Sequence, residues 1–457
     1  MKKILSKSSK NNLSALELGD GSHVAVIGGG PAGSFFSFFL LDMAERLGIN
    51  VHVDIFDPKD FSRTGPSGCN HCGGIISETL IQMLAIEGIN LPSTVVQRGI
   101  DSYVLHTDIG TVCIDTPLDE KRIAAVHRGS GPRGMKEAKW HSFDAHLQSL
   151  SIHKGANLIH ERVEKVYWKD GRPQVKIRDS EPRSYDLLVV ATGVNSSALK
   201  IFEGMNLGYK PPVTTRTFIC ELYLGHEAMN KYVGNSMHIF LLDIPRLKFA
   251  ALIPKGDYAT ICLLGRDINK DLIQTFLNAP EVKQCLPPDW EMPKDFCRCY
   301  PSISIKGAVQ PFGDRVVFIG DSGTTRLYKD GIGAAYRTAK AAARTAIFEG
   351  ISSEDFRKHY LPTCKAISYD NTIGKIIFTI TYLYQKIRLA RRGLLSMVYS
   401  EQHKGGNRQR MSSVLWDTFT GSAPYGDVFL RALHPLSLGN LILNTVLGTR
   451  SKDFIKR

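Results

Sequence analysis

Residues 24 to 33 read Val24-Ala25-Val26-Ile27-Gly28-Gly29-Gly30-Pro31-Ala32-Gly33, an apolar strand that runs straight into a glycine turn. Gly28, Gly30 and Gly33 occupy the three glycine positions of the dinucleotide fingerprint: a tight turn, close backbone approach to a pyrophosphate, and close packing of the following helix on the strand. Ser34 to Leu47 continue as a mostly apolar helix whose free amides and positive dipole end face the phosphates. A second strand, Val51 to Phe56, alternates in character and ends at Asp57, 24 residues after Gly33. That is close to the spacing of the carboxylate that binds a ribose hydroxyl. Working outward from this unit, the fold class is α/β: a Rossmann-type domain interrupted by an antiparallel sheet and followed by a helical region.

Two later stretches repeat the pattern of a buried strand stopping at small residues. Tyr185 to Val190 lead into Ala191-Thr192-Gly193, and Arg315 to Ile319 lead into Gly320-Asp321-Ser322-Gly323. The second is followed by Asp330-Gly331-Ile332-Gly333 and an alanine-rich helix, Ala334 to Glu349. Asp321 suits hydrogen bonding to the hydroxyls of a sugar chain, or the N-cap of the next turn. Between the repeats the chain alternates with period two, at residues 98–115 and again at 213–265, as the strands of an antiparallel sheet do. The boundaries that follow are 1–20 as a lysine-rich leader, then 21–97, 136–205 and 306–350 as three parts of the nucleotide domain. Residues 98–135 and 206–305 form the inserted sheet domain, and 351–457 form a basic helical region.

The chain has 457 residues, 43% of them hydrophobic, which is enough for two or three cores. Its formal net charge is +13, and the last 87 residues hold 13 Lys and Arg against 4 Asp and Glu. Such a tail suits an anionic membrane surface; no aromatic-basic module of the kind that binds nucleic acid appears, and a merely solvated basic face is the plain alternative. No stretch reaches transmembrane length. The short apolar segments Ile376 to Tyr384, Val428 to Leu433 and Leu436 to Leu447 fit helices lying on a membrane or an ordinary helical cap. Nine cysteines without a disulfide framework fit a reducing, cytoplasmic setting. The close pairs Cys69/Cys72 and Cys297/Cys299 lie too far apart in sequence for a zinc knuckle, so no metal is expected there; a redox dithiol or plain packing remains open.

The three strand ends, in this order, resemble the FAD-dependent enzymes of the p-hydroxybenzoate hydroxylase type, and within them the geranylgeranyl reductase family most. Cys72-Gly73-Gly74 matches that family's Cys-Gly-Gly loop beside the flavin. Phe249-Ala250-Ala251-Leu252-Ile253-Pro254-Lys255-Gly256 resembles its cavity motif Tyr-x-Trp-x-Phe-Pro-x-Gly, with Phe249, Ala251 and Ile253 replacing all three aromatics. The resemblance implies that Gly28, Gly30, Pro31, Ala32 and Gly33 hold the FAD pyrophosphate and Asp57 the ribose. It further implies that Val163 meets the adenine, Thr192 and Gly193 pass beside the cofactor, Gly320 and Asp321 meet the ribityl-pyrophosphate region, and Gly331, Ile332 and Gly333 approach the flavin ring. Phe249, Ala251, Ile253, Pro254 and Gly256 then line the substrate cavity.

The implied chemistry is reduction of double bonds in an apolar, isoprenoid or quinone-like substrate at a membrane surface. A hydride goes to one carbon and a proton to the other, from Cys72, with Cys69 as partner, or from Lys329. The electron donor is NAD(P)H or a ferredoxin-like protein, since no second glycine fingerprint is present. A flavin monooxygenase and an electron-transfer protein linked to membrane quinone share the scaffold and stand as alternatives.

Overall fold

Apolar runs buried on both faces make parallel strands, and Val24, Ala25 and Val26 have no exposed surface. In the computed structural model the strand Ser22–Ile27 lies between Val51–Phe56 and Leu187–Val190, parallel to both. The structure describes residues 16–61, 63–65, 67–70, 73–116, 120, 122–132, 141–293, 296–403 and 409–447. The full nucleotide-domain sheet has the order Phe312–Gly313, Val316–Phe318, Leu187–Val190, Ser22–Ile27, Val51–Phe56, Asn157–Ile159. Only the first, edge strand is antiparallel. Two helices, Pro31–Leu47 and Gly331–Phe348, pack together over it, with Phe35 and Phe39 meeting Tyr336 edge-on at 5.7 and 5.4 Å. Each such buried aromatic contributes roughly 1.5–3 kcal/mol.

The inserted domain is an eight-stranded sheet in the order Cys297–Cys299, Val213–Tyr223, Tyr258–Gly265, Leu247–Lys255, Ser236–Phe240, Ser102–Thr107, Gly110–Asp115, with Ser302–Lys306 also on Val213–Tyr223. It is antiparallel as expected except at one seam, where Ser236–Phe240 and Ser102–Thr107 run parallel because a long excursion through the nucleotide domain separates them. Val96–Ile100 does not join this sheet. It pairs with Ile123–Val126, which also takes Ile75–Ile76, and this small sheet connects the Gly73-Gly74 segment to the inserted domain.

One face of the large sheet is covered by the helix Lys270–Leu277, with Phe240, Leu252, Phe276 and Cys285 in one apolar cluster. On the other face, Ala251 and Ile253 share a cluster with Leu395, Val414 and Trp416 of the helices Arg388–His403 and Arg410–Thr420. These basic helices therefore bury their apolar stripes against protein. The helix Phe143–His153 starts where Ser142 Oγ accepts the Ala145 amide and caps it. Of the leader, residues 16–20 are described: Leu18 is buried, and the Ile351 amide donates to Leu16 O at 2.7 Å.

Candidate cofactor and substrate site

The glycine turn has the shape its sequence demands. Gly28 has φ +107°, and a Cβ there would stand 2.5 Å from Ala191 O, so the turn is pressed against the Ala-Thr-Gly strand end. A Cβ on Gly33 would overlap Gly28 O, which is the close helix–strand packing. Gly30 differs: its Cβ direction is open, with Arg128 Nη2 at 3.6 Å as the nearest atom. Pro31 is the first helical residue, and Gly30 supplies no side-chain cap. The amides at this end are thus left for an outside acceptor.

Arg128 and Asp144 stand beside that helix end, 3.6 and 3.9 Å from the Cβ direction of Gly30. Arg128 Nε and Nη2 donate to Asp144 Oδ1 and Oδ2 at 2.9 and 2.7 Å, and Asn70 Nδ2 donates to the same carboxylate. Asp144 is fully buried, so the fork is held rigid beside Gly30. Arg128 was visible in sequence only as part of a Gly/Arg/Pro loop. Asp57 braces the turn as well: its Oδ2 accepts from the Gly29 amide at 3.1 Å and from Gln148 Nε2 at 3.2 Å, and its Oδ1 from the Lys59 amide at 3.0 Å. Burial pushes its carboxyl up to about 6, opposed by the backbone amides.

The other predicted strand ends converge on the same edge. Thr192 Oγ1 is buried without a hydrogen-bond partner among the described residues, and Gly193 faces open space. Gly320, at φ +58°, would put a Cβ 2.7 Å from Ala32 Cβ, so the Gly-Asp turn rests on the start of the first helix. Burial pushes the Asp321 carboxyl up, while Thr325 and the nearby Arg128 pull it back. Gly331 opens the helix Gly331–Phe348, whose N-cap Asp330 gives no side-chain cap, and Ile332 is buried beneath it. Gly333 serves the fold here, since a Cβ would collide with the Asp330 carboxylate. Val163 is buried with Ile27 and Phe56. An uncapped helix end flanked by Arg128, an orphaned threonine hydroxyl and open glycines fit a bound dinucleotide such as FAD.

The large sheet turns a second set of groups toward this edge. Cross-strand register places Cys297, Glu221, Thr260 and Ile253 in one row, and Cys299, Ile219, Cys262 and Ala251 in the next. Gly73 packs on this face, its Cβ direction 3.3 Å from Ile253 Cδ1 and 3.5 Å from Cys262 Sγ, and Gly74 adjoins the Lys255 side chain. Lys255 is 1% exposed and pairs with Glu221 Oε1 at 3.6 Å, while Thr260 Oγ1 donates to Glu221 Oε2 at 2.7 Å. A cleft between sheet and nucleotide domain is lined by Cys69, Arg128, Glu221, Lys255, Cys297 and Cys299. The structure therefore brings Cys69 to the Cys297/Cys299 strand; Cys72 lies outside the described residues. Burial above all pushes the Cys299 thiol up to about 12, so it stays protonated at neutral pH.

Lys329 reaches the same face from the nucleotide domain. Its Nζ stands 4.0 Å over the Phe249 ring, and burial lowers its pKa to about 8, with Cys262 opposing. Phe249, Ala251 and Ile253 share the face toward Lys329 and Gly73, as alternate residues of a strand do. Pro254 is buried on the same strand, and Gly256, at φ +57°, forms the hairpin turn beyond it.

No family model matches the chain, and no curated protein is significantly similar to it. Solved structures are. A flavoprotein/dehydrogenase from Cytophaga hutchinsonii aligns over 94% of this chain and 98% of its own, with TM-score 0.59 and 14% identity. A flavin-dependent brominase aligns over 95% and 96%, with TM-score 0.55 and 14% identity. The halogenase PltM, in complex with phloroglucinol and FAD, aligns over 93% and 91%, with TM-score 0.56 and 12% identity. At these identities the likeness shows the fold: the chain has the architecture of the FAD-binding flavoproteins.

Proposed function

We propose that this protein is an FAD-dependent oxidoreductase that reduces a carbon–carbon double bond in an apolar, isoprenoid or quinone-like substrate. The observation that carries this reading is the Lys329 amine poised over Phe249, on the apolar sheet face that the cofactor edge also meets. Bound FAD, once reduced, supplies the hydride. Arg128 and the uncapped amides after Gly30 hold its pyrophosphate, and Thr192 and Asp321 meet its sugar chain. Asp57 keeps the glycine turn in shape while offering its remaining lone pairs to the ribose.

Phe249, Ala251, Ile253 and Ile219 exclude water from the reacting carbons. Lys329 Nζ, protonated below about pH 8, donates to the carbon that does not receive hydride. Lys329 thereby takes the proton-donor role first considered for Cys72 and Cys69. The Glu221–Lys255 pair lines the cleft as a fixed polar wall. NAD(P)H or a ferredoxin-like protein is the proposed electron source.

Delivery from a membrane surface is supported by apolar side chains left exposed on the C-terminal helices. Ile376, Ile380 and Leu383 lie at helical spacing on the helix Leu361–Lys386, and Ile442, Leu443 and Val446 on Pro435–Leu447. Among the described residues no helix is long and apolar enough to cross a membrane. The decisive experiment reduces the FAD-loaded protein without oxygen, offers polyprenyl lipids and quinones, and follows flavin reoxidation and product mass. Substrate-dependent reoxidation with a mass gain of two hydrogens is expected. Reoxidation only by oxygen, with a hydroxylated product, would replace reductase by monooxygenase.

A further inference from the structure

On the face of the large sheet that looks away from the nucleotide domain, three ligand-type side chains meet. His106 comes from the strand Ser102–Thr107, His238 from Ser236–Phe240, and Cys285 from just beyond the short helix Pro280–Lys283. His106 Nε2 and His238 Nδ1 are 2.8 Å apart, Cys285 Sγ is 3.3 Å from His238 Nδ1, and it is 3.8 Å from His106 Nε2. All three residues are buried, in the apolar cluster of Phe240, Leu252 and Phe276. The remaining ring nitrogens are oriented from behind: His106 Nδ1 lies 3.1 Å from Thr111 Oγ1, and His238 Nε2 lies 3.2 Å from Val233 O.

Val233 O can only accept, so His238 carries its proton on Nε2 and turns the Nδ1 lone pair toward the other two groups. Without a metal the cluster closes as a neutral network: Thr111 Oγ1 donates to His106 Nδ1, His106 Nε2–H to His238 Nδ1, and the Cys285 thiol to Glu281 O at 3.7 Å. The same outer partners suit a metal site. With the His106 proton on Nδ1, where Thr111 Oγ1 accepts it, and the thiol proton released, two imidazole lone pairs and a thiolate converge on one point.

We propose that His106, His238 and Cys285 bind a transition-metal ion of borderline-to-soft character, Zn²⁺ or Cu⁺, which pins the Lys270–Leu277 cap to the sheet. Two imidazoles and a thiolate select this class and disfavour Mg²⁺ and Ca²⁺, which require oxygen donors. Metal–nitrogen bonds of about 2.0–2.1 Å and a metal–sulfur bond of about 2.3 Å put the donor atoms roughly 3.3–3.8 Å apart. The two sulfur–nitrogen separations already lie in this range, and the His106–His238 contact reaches it by opening by about half an ångström or more. Cu⁺ is satisfied by three ligands; Zn²⁺ takes a water in the fourth position. The site lies across the sheet from the proposed redox cleft and is independent of that reading, so its role is structural.

The test uses the full-length protein, stripped with a chelator under reducing conditions and then titrated separately with Zn²⁺ and Cu⁺. Bound metal is measured by mass spectrometry, and the thermal midpoint and backbone exchange of residues 270–286 are followed. One equivalent per chain is expected for one of the two ions, with a rise of several degrees in the thermal midpoint and slower exchange in that segment. Cys285→Ser and His238→Ala should lose the metal and the shift, while retaining FAD content and the circular dichroism of the wild type. A cobalt-substituted wild type should show a thiolate-to-metal absorption band that Cys285→Ser lacks. Less than about a tenth of an equivalent with both ions, or undiminished binding by Cys285→Ser, would overturn the site.

Discussion

Lys329 and Asp57 are two groups whose buried surroundings shift their titration toward neutrality, and each carries a pH signature. With Lys329 at about 8, its ammonium form dominates below that value, and with Lys329 as the proposed proton donor the rate of substrate-dependent flavin reoxidation should fall about tenfold per pH unit above it. Lys329→Met should lower that rate roughly 10²–10⁴-fold at neutral pH and abolish the alkaline limb, with FAD content unchanged. Rapid-mixing kinetics across pH 6 to 10 check both. Asp57 works through stability. Its folded value, raised to about 6, exceeds the unfolded value, so the folded state holds the proton more tightly. Its contribution is full below about pH 4 and is lost as pH rises through about 6, a swing of roughly 2–3 kcal/mol. Denaturant unfolding of the cofactor-free protein at pH 4 and 7 should show this swing, and Asp57→Asn should flatten it.

At the scale of elements, the C-terminal helices are part of the substrate domain's core. Trp416 packs edge-on against Tyr103 at 4.9 Å and donates to Glu78 Oε1 at 3.0 Å, joining the helix Arg410–Thr420 to the sheet and to the helix Glu78–Ile86. Trp416→Ala should cost about 3–5 kcal/mol in unfolding free energy, because it opens a cavity and takes the indole donor from the half-buried Glu78 carboxylate. The glycine turn, both later strand ends and the alternating strands were legible in sequence because each answers a local demand: a positive φ, a close approach, or a period of two. What joins distant segments was not. Arg128 acquires its place only when the fold sets it against Gly30, some hundred residues earlier in the chain. Cys69 meets Cys297 and Cys299 only across the domain boundary. His106, His238 and Cys285 carry no spacing signal at all. The helical character of the region after residue 351 was readable, but a 3.6-residue period does not distinguish a sheet from a bilayer as the partner of its apolar faces.

Over the whole molecule, a nucleotide domain and a large sheet close on a shared cleft, and the C-terminal helices leave apolar side chains such as Ile376, Leu383, Ile442 and Val446 exposed. If these helices meet membranes, co-sedimentation should be strong with vesicles containing anionic lipid, weak with neutral ones, and reduced as salt rises past about 0.15 M. Equal binding to both vesicle types would remove the electrostatic part of the proposal. The central claim is that the glycine turn anchors FAD, and Gly30 tests it most directly. Its φ of −70° suits any residue and its Cβ direction is open, so Gly30→Ala should leave the fold intact while placing a methyl where a pyrophosphate held by this helix end would lie. Isothermal titration of cofactor-free protein with FAD should give one site per chain in the wild type. In Gly30→Ala the affinity should be at least about tenfold weaker, with the thermal midpoint of the cofactor-free protein unchanged within about a degree. Equal affinity in the two proteins, or no FAD binding by the wild type, would contradict the account.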